Sequence, residues 1–424
     1  MVDLLRDELH ASVTDPVAAS MNFLNEIAGR YPDAISLAAG RPYEGFYRTE
    51  DIGRYLDIYA AHLGRRGAGA EAVRRTLMQY GRTNGFINDL VARLLEVDEG
   101  IRVAAGAVAI TTGCQEAMVI VLRGLFRPGD VLLAAAPCYV GITGAARLLD
   151  IEVVPVPEGP AGLDPDDVLT VAREVRATGR RPRALYLVPD FANPSGSCLS
   201  VPRRQRLIEV AGAADLLLLE DDPYGLFGLD DTARPKLKAL DRDHRVIYLG
   251  SFAKSCFPGP RVGFLVADQP VVDASGRRTL LADELSTVKS MLTVNTSAIA
   301  QAVIGGILVE SGCSLRAANR DKISFYRRNL TSLLAALDRY FPAGTVTWNV
   351  PAGGFFAVLA TPVRADIELL TTSAREYGVI WTPMSFFYTD GGGQHAIRLS
   401  CSSLPPDQVD EGVRRLAKLL TAHT

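Results

Sequence analysis

Val246-Ile-Tyr-Leu249 is a short apolar run that feeds directly into Gly250-Ser251-Phe252-Ala253-Lys254-Ser255, and Pro258-Gly-Pro-Arg261-Val-Gly263 follows. Apolar residues at successive rather than alternate positions suit a strand covered on both faces of a mostly parallel sheet. A lysine straight after such a strand sits in low dielectric. That disfavours its charged form and frees the amine for Schiff-base chemistry. Ser251 and Arg261 suit a phosphate, as hydroxyl donor and guanidinium fork. Two plainer readings stand beside this one. Lys254 could be a solvated lysine at a strand end. It could also belong to a Walker-type phosphate loop, but that motif has Gly directly before the lysine, and Ala253 stands there.

Working outward, similar runs occupy residues 108–112, 131–135, 152–155, 184–188, 216–220 and 262–266, with helix-like stretches such as 115–125 and 203–213 between them. With 246–249 these predict a mostly parallel seven-stranded sheet flanked by helices, an α/β architecture. The two ends differ from this middle. Residues 1–45 hold one predicted helix, 17–28, and a turn-rich run at 39–42, and read as an arm attached to a smaller domain. Residues 46–312 form the large domain. Residues 313–424 carry predicted helices at 316–338 and 366–376 and from Pro406 onward. Short strands at 346–348, 355–358 and 396–400 make this tail a smaller α+β domain. No internal repeat interrupts the chain.

In open parallel sheets ligands gather beyond the carboxyl ends of the strands. The residues found there are of complementary types. Residues 216–220 lead into Asp221-Asp222-Pro223-Tyr224, which suits acid/base or metal work or simply a helix cap. Residues 184–188 lead into Pro189-Asp-Phe-Ala-Asn193-Pro-Ser-Gly196, by default a turn. Residues 108–112 lead into Gly113-Cys114-Gln115 and a helix, whose free N–H groups could hold a phosphate or merely begin the helix. Tyr139 follows Pro137 after residues 131–135, as core or as a ring to stack on another. Each signal alone is weak. Together they supply a lysine, an acid, an amide, a phenol, an aromatic and a phosphate cradle on one sheet.

Composition narrows the choice. The chain has 424 residues, 48% of them hydrophobic, and a net charge of −3, so it has no basic excess for a nucleic-acid surface. The six cysteines have no C-x-x-C pair, and a chain this long needs no disulfide staples. Reduced thiols and a cytoplasmic location are expected. The five histidines are dispersed, so no metal cage is expected. The charged N-terminus reads as no secretory signal, and no apolar run is long enough to span a bilayer.

The ordered set of motifs resembles the class I/II aminotransferases of pyridoxal-phosphate (PLP) fold type I, and most of all the 2-aminoadipate and kynurenine aminotransferase branch. The likeness runs from about Ile35 to Ser402. It includes Ile35-Ser-Leu-Ala-Ala-Gly40-Arg-Pro42, Gln79-Tyr-Gly-Arg-Thr-Asn-Gly85, Asn193-Pro-Ser-Gly196, the lysine segment, Pro351-Ala-Gly-Gly-Phe355 and Ile397-Arg-Leu-Ser400. The resemblance implies that pyridoxal 5'-phosphate is the cofactor, held by Lys254 as a Schiff base. It implies that Asp221 pairs with the pyridine nitrogen, making the ring an electron sink. Tyr224 and Asn193 would bond the ring's phenolic oxygen and Tyr139 would stack on it. Ser251, Arg261 and the backbone of Gly113, Cys114 and Gln115 would hold the phosphate. Tyr80 would reach that phosphate from a neighbouring subunit, and residues near Asn295-Thr296 would also complete the partner's site, so a homodimer is implied. Arg398, helped by Asn193 and the Gly40 backbone, would clamp the substrate α-carboxylate. The implied reaction exchanges an amino group between an L-amino acid and a 2-oxo acid.

Three departures from the family pattern stand out: Ala253 in place of a second serine, Met384 after Pro383, and Asn22-Phe23-Leu24 where the resemblance would put an arginine in an acid-specific member. An acidic substrate side chain is therefore not implied, and Tyr43 and Glu44 could receive a polar or basic one. Rival readings are a lyase, decarboxylase or oxidase on the same scaffold, and a non-catalytic PLP-binding effector module. The residues before Gly40 leave the latter no room for a DNA-binding domain. A nucleotide-binding enzyme fails on the missing Walker and G-x-G-x-x-G spacings.

Overall fold

The computed structural model describes residues 3–14, 23, 26–232, 234–342, 344 and 346–423. The principal sheet has eight strands: β1 Val108–Thr111, β2 Asp130–Ala136, β3 Glu152–Gly159, β4 Gly162–Leu163, β5 Arg181–Leu187, β6 Leu217–Asp222, β7 Val246–Ser251 and β8 Gly263–Val266. They lie side by side in the order β1-β8-β7-β6-β5-β2-β3-β4. The five strands β3, β2, β5, β6 and β7 run parallel. β8 is antiparallel to both its neighbours, β7 and β1. The physical reason is the short connection at 252–262, which cannot make the crossover a parallel return needs.

The expected seven strands thus become eight. The addition, β4, is a two-residue antiparallel edge pairing with Glu158 and Gly159. So short a strand leaves no periodicity to read. The inner strands are buried along most of their length, as the continuous apolar runs require. Because β8 is reversed twice over, β1 shares the direction of β7. The carboxyl ends of β1, β5, β6 and β7 therefore meet at one edge of the sheet. Helix α1, Gly113–Leu125, starts there directly after β1 and buries Ala117, Val121 and Leu122 against the sheet side of its surface.

A second, antiparallel sheet holds β9 Thr347–Trp348, β10 Phe356–Ala360, β11 Thr382–Pro383 and β12 Ala396–Ser400, in the order β9-β10-β12-β11. Its own apolar cluster includes Trp381, Leu337 and Leu416. The 21-residue helix α3, Arg320–Tyr340, serves both cores. Its early residues Ile323 and Tyr326 pack with the large sheet's cluster. Its later residues Leu330, Leu333 and Leu337 pack with the small sheet's cluster, beside α4, Pro406–His423. The helix expected at 316–338 is in fact a short turn of helix, Leu315–Ala318, followed by α3.

The N-terminal segment joins this second unit. Ile35 and Ser36 pair in parallel with Val379 and Ile380, and the Ser400 N–H donates to the Leu37 carbonyl at 2.6 Å. Residues 38–41 are thereby fixed between the two sheets. Most of the helix expected at 17–28 lies outside the described residues, and residues 26–30 are helical. Among the described residues no helix is long and apolar enough to cross a membrane.

Candidate active site

Lys254 lies in a single helical turn, α2 Phe252–Ser255, that starts where β7 ends. Ser251 caps the turn, its hydroxyl accepting from the Ala253 N–H at 3.2 Å. The Lys254 Nζ is thereby aimed across the sheet edge at the Gly40 carbonyl, to which it donates at 2.6 Å. Burial lowers its proton affinity to about 8, and the nearby guanidiniums of Arg261, Arg398 and Arg41 add to the effect. A lysine of this kind has a large neutral fraction near pH 8, as a nucleophile or a base requires.

Strand alternation turns the last two carboxylates of β6 to opposite sides. Asp221 faces the cavity, buried, with its oxygens between the Tyr186 hydroxyl at 2.6 Å and the Cys114 thiol at 3.4 Å. Burial raises its acid to about 6, although both donors favour the carboxylate. Asp222 faces away and accepts from the Tyr248 hydroxyl at 2.8 Å. It also meets the buried Lys236 ammonium at 2.7 Å. Lys236 in turn contacts Asp190 at 2.9 Å, and Asp190 pairs with the buried Arg204 at 2.5 Å. Lys236 thus ties together the segment that delivers Asp221 and Tyr224 and the segment that delivers Asn193.

Tyr224 is buried and meets the Phe355 and Phe356 rings edge-on. Asn193 accepts from Arg398 Nη1 at 2.5 Å. Arg398, on β12 of the second sheet, also donates through Nη2 to the Ala38 carbonyl at 2.6 Å and the Thr382 hydroxyl at 3.2 Å. Its guanidinium lies over the Phe356 ring at 4.4 Å and near the Phe387 ring at 4.8 Å. Among the described residues its buried Nε has no hydrogen-bond partner. Burial lowers its proton affinity to about 10, so it stays cationic at neutral pH. An arginine held this way, with donor capacity to spare, suits a carboxylate.

The phosphate end is marked by a close approach. Gly113, at φ +74°, opens α1, and a side-chain carbon there would lie 2.7 Å from Arg261 Nη2. Only glycine lets the guanidinium reach the start of that helix, where free N–H groups and the helix dipole already favour an anion. Arg261 and Lys254, Ser251, Asp221, Tyr224, Tyr139, Cys114, Gln115, Asn193, Gly40 and Arg398 line one cavity of about 290 Å³, and Gly113 lies behind it against Arg261. A neutral-prone amine, a buried acid at the end of β6 and an anion cradle at a helix start fit a phosphorylated pyridine aldehyde. Among the described residues no group of three or more His, Cys, Asp and Glu side chains is placed for a metal ion.

Two groups of expected residues lie elsewhere. Tyr80 is 85% exposed and outside its own chain's cavity. Tyr43 and Glu44, expected to meet a polar substrate side chain, do not line the cavity either: Tyr43 stacks on Phe325 at 4.7 Å, and Glu44 begins an exposed 3-10 turn. Residues missed in the sequence fill the wall. Phe386 and Phe387 come from the 3-10 turn Met384–Phe387, whose first residue, Met384, is buried and does not line the cavity. Met118, Val140 and Phe356 complete an apolar side. Tyr186 could have been suspected as the one hydroxyl in the aliphatic run 184–188.

Comparison with known proteins agrees with this chemistry. The family model described as aminotransferase class I and II matches residues 61–416. An (S)-3,5-dihydroxyphenylglycine transaminase of Amycolatopsis orientalis is 50% identical over 422 residues, covering 99% of this chain and 95% of that one. A multiple-substrate aminotransferase of Thermococcus profundus superposes with a TM-score of 0.83 at 28% identity, covering 98% of each chain. An α-aminoadipate aminotransferase of Thermus thermophilus, solved with N-(5'-phosphopyridoxyl)-L-leucine, superposes with a TM-score of 0.80 at 30% identity over 98% of each chain.

Proposed function

The chain belongs to the class I and II aminotransferases, and we propose that this PLP-dependent enzyme acts on amino acids with an aromatic side chain, arylglycines among them. Its reaction moves an amino group between an L-amino acid and a 2-oxo acid. The observation that carries the aromatic reading is the apolar wall of Met118, Val140, Phe356, Phe386 and Phe387 facing the reactive lysine. The 50% identity to a dihydroxyphenylglycine transaminase supports it.

The bound cofactor supplies a ring that withdraws electrons from the substrate's α-carbon. The chain's residues do the rest. Arg398, with Asn193, binds the substrate carboxylate and so fixes the direction of the Cα–H bond. Lys254 Nζ takes the α-proton and returns it, a role that its lowered proton affinity suits. Asp221, fixed by Tyr186 and Cys114, would hold its negative charge at the ring-nitrogen end. Tyr224 and Asn193 would donate to the ring oxygen, Tyr139 would cover the ring face, and Ser251, Arg261 and the backbone of Gly113, Cys114 and Gln115 would hold the phosphate.

The second sheet carries Arg398 and the first carries Lys254, so movement between the two units would open and close the site. We assign residues 46–312 to the large domain and 313–424, joined by the arm 1–45, to the small one. The pairing of Ile35-Ser36 with Val379-Ile380 supports that assignment of the arm. We also assign a homodimer, with Tyr80 serving the partner's phosphate site, and a cytoplasmic location, which six free thiols suit.

The test is a screen of amino acids against the PLP-loaded protein, followed by the cofactor's visible absorbance. With an arylglycine alone the absorbance should fall once and stop, and a 2-oxo acid should restore it. A lyase, decarboxylase or oxidase would keep turning over on the amino acid alone. Arylglycines should exceed 2-aminoadipate by about tenfold or more in kcat/KM. The reverse preference would remove the aromatic reading.

A further inference from the structure

Four cations line the active-site cavity: Arg41, Lys254, Arg261 and Arg398. Three have local work. Lys254 holds the Gly40 carbonyl, Arg261 lies against Gly113, and Arg398 is bonded to Asn193, Ala38 and Thr382. Arg41 differs. Among the described residues its guanidinium makes no hydrogen bond and no ion pair, while its own carbonyl is anchored by the Ser402 hydroxyl at 2.6 Å. Its backbone is therefore fixed one residue from the carbonyl that receives the reactive amine, and its side chain is uncommitted. Among the described residues Asp221 is the only acid lining the same cavity, and its oxygens are already held by Tyr186 and Cys114.

We propose that Arg41 is a specificity-determining residue whose guanidinium donates to an oxygen at the far end of the substrate's side chain, a ring hydroxyl of an aromatic donor. This rests on the aromatic reading above and assigns the group that grades one ring against another. The wall formed by Phe386, Phe387, Met118 and Val140 is apolar and cannot tell a hydroxylated ring from a bare one by hydrogen bonding. Apolar pockets discriminate weakly over a single hydroxyl, whereas a placed donor discriminates strongly. Arg41 is exposed where it lines the cavity, so the ring can reach it without burying an unpaired charge. Its field already reaches the reacting amine, since it contributes to the lowered proton affinity of Lys254.

The experiment compares holoenzyme and the variants Arg41→Leu and Arg41→Gln on (S)-3,5-dihydroxyphenylglycine and (S)-phenylglycine. Retained cofactor absorbance checks that each variant is folded. The wild type should favour the hydroxylated ring about tenfold or more, Arg41→Leu should bring that ratio towards one, and Arg41→Gln, a neutral donor, should restore part of it. Calorimetric binding of 3,5-dihydroxyphenylacetate and phenylacetate, neither of which can react, should show the same collapse. A ratio unchanged in Arg41→Leu overturns the assignment. So does a loss confined to substrates with a distal carboxylate, which Arg41→Gln would fail to rescue. If neither arylglycine is consumed, the aromatic reading falls. If both are consumed with the same ratio in every form, only the Arg41 assignment falls.

Discussion

Asp221 carries a charge that its surroundings oppose until a cation arrives. Burial raises its acid to about 6, from an unfolded value near 3.9. Between those values the folded protein binds more protons than the unfolded chain, so this group makes stability fall as pH rises through that window. At pH 7 the cofactor-free protein bears the full cost. Asp221→Asn should therefore leave the cofactor-free protein as stable as wild type or up to about 3 kcal/mol more stable at pH 7, while weakening cofactor retention. Thermal melts with and without PLP, and absorbance after dialysis, check both halves. A lower melting temperature for the cofactor-free variant would contradict the argument.

Lys254 has the opposite sign. Its proton affinity falls to about 8, so its contribution to stability rises with pH from about 8 towards the ordinary lysine value near 10.4. The rate of PLP uptake by cofactor-free protein should climb with pH and level off above about 8, followed by stopped-flow absorbance. A midpoint near 10 would show an ordinary solvated lysine. Both residues were legible in the sequence because each ends a buried run. Tyr186 was not, because its role depends on β5 lying beside β6. Tyr43 and Glu44 were misplaced for a related reason: chain proximity to Gly40 does not decide which way a loop side chain turns, and Phe325 claims the Tyr43 ring.

Among elements, the end of β6 repays the closest reading. The pair Asp221-Asp222 looks like one acidic site in sequence, but the two-residue period of a strand sends the members to opposite faces. One serves the cavity, and the other anchors the edge from behind through Lys236. The Lys236 ammonium is buried, a cost that Asp190, Asp222 and Glu99 together outweigh, so it remains charged. Gly225, next to Tyr224, is required by the same contact, since a side-chain carbon there would lie 2.0 Å from Lys236 Nζ. Lys236→Met leaves Asp190 paired with Arg204 but strips Asp222 of its buried cation. It should cost about 3–5 kcal/mol in denaturant unfolding. It should also shift the pH midpoint of the cofactor's absorbance, because the segments carrying Asp221 and Asn193 lose their common tie. A stability loss with an unmoved midpoint would reduce Lys236 to scaffold alone. Neither Lys236 nor the antiparallel return of β8 could be read from local pattern. Both are set by which strands become neighbours, whereas burial of the inner strands was written in their composition.

At the scale of the whole molecule, the surface keeps an apolar area that a lone chain has no use for. Met78 ends one helix and Tyr80 follows it, and Met291, Leu292, Val294 and Ile299 flank the junction of two others. The stretches adjoin, since a side-chain carbon at Gly81 would lie 3.7 Å from Asn295 Nδ2. Tyr80 and Met291 are 85% and 81% exposed, more than a solvated protein gains from. Large exposed apolar side chains gathered this way mark an interface, and a twofold dimer is the commonest way for a chain to cover one. Sedimentation should therefore give twice the 45.6 kDa chain mass. Met291→Glu combined with Val294→Asp, which puts like charges opposite each other across a twofold axis, should weaken association by about a hundredfold or more. If the Tyr80 hydroxyl crosses to the partner's phosphate, Tyr80→Phe should lower PLP affinity about tenfold without changing the mass. The charged double variant should then lose cofactor in step with its dissociation. A stable monomer that keeps its cofactor at full affinity would show instead that the 290 Å³ cavity is complete within one chain, leaving the apolar area to some other purpose.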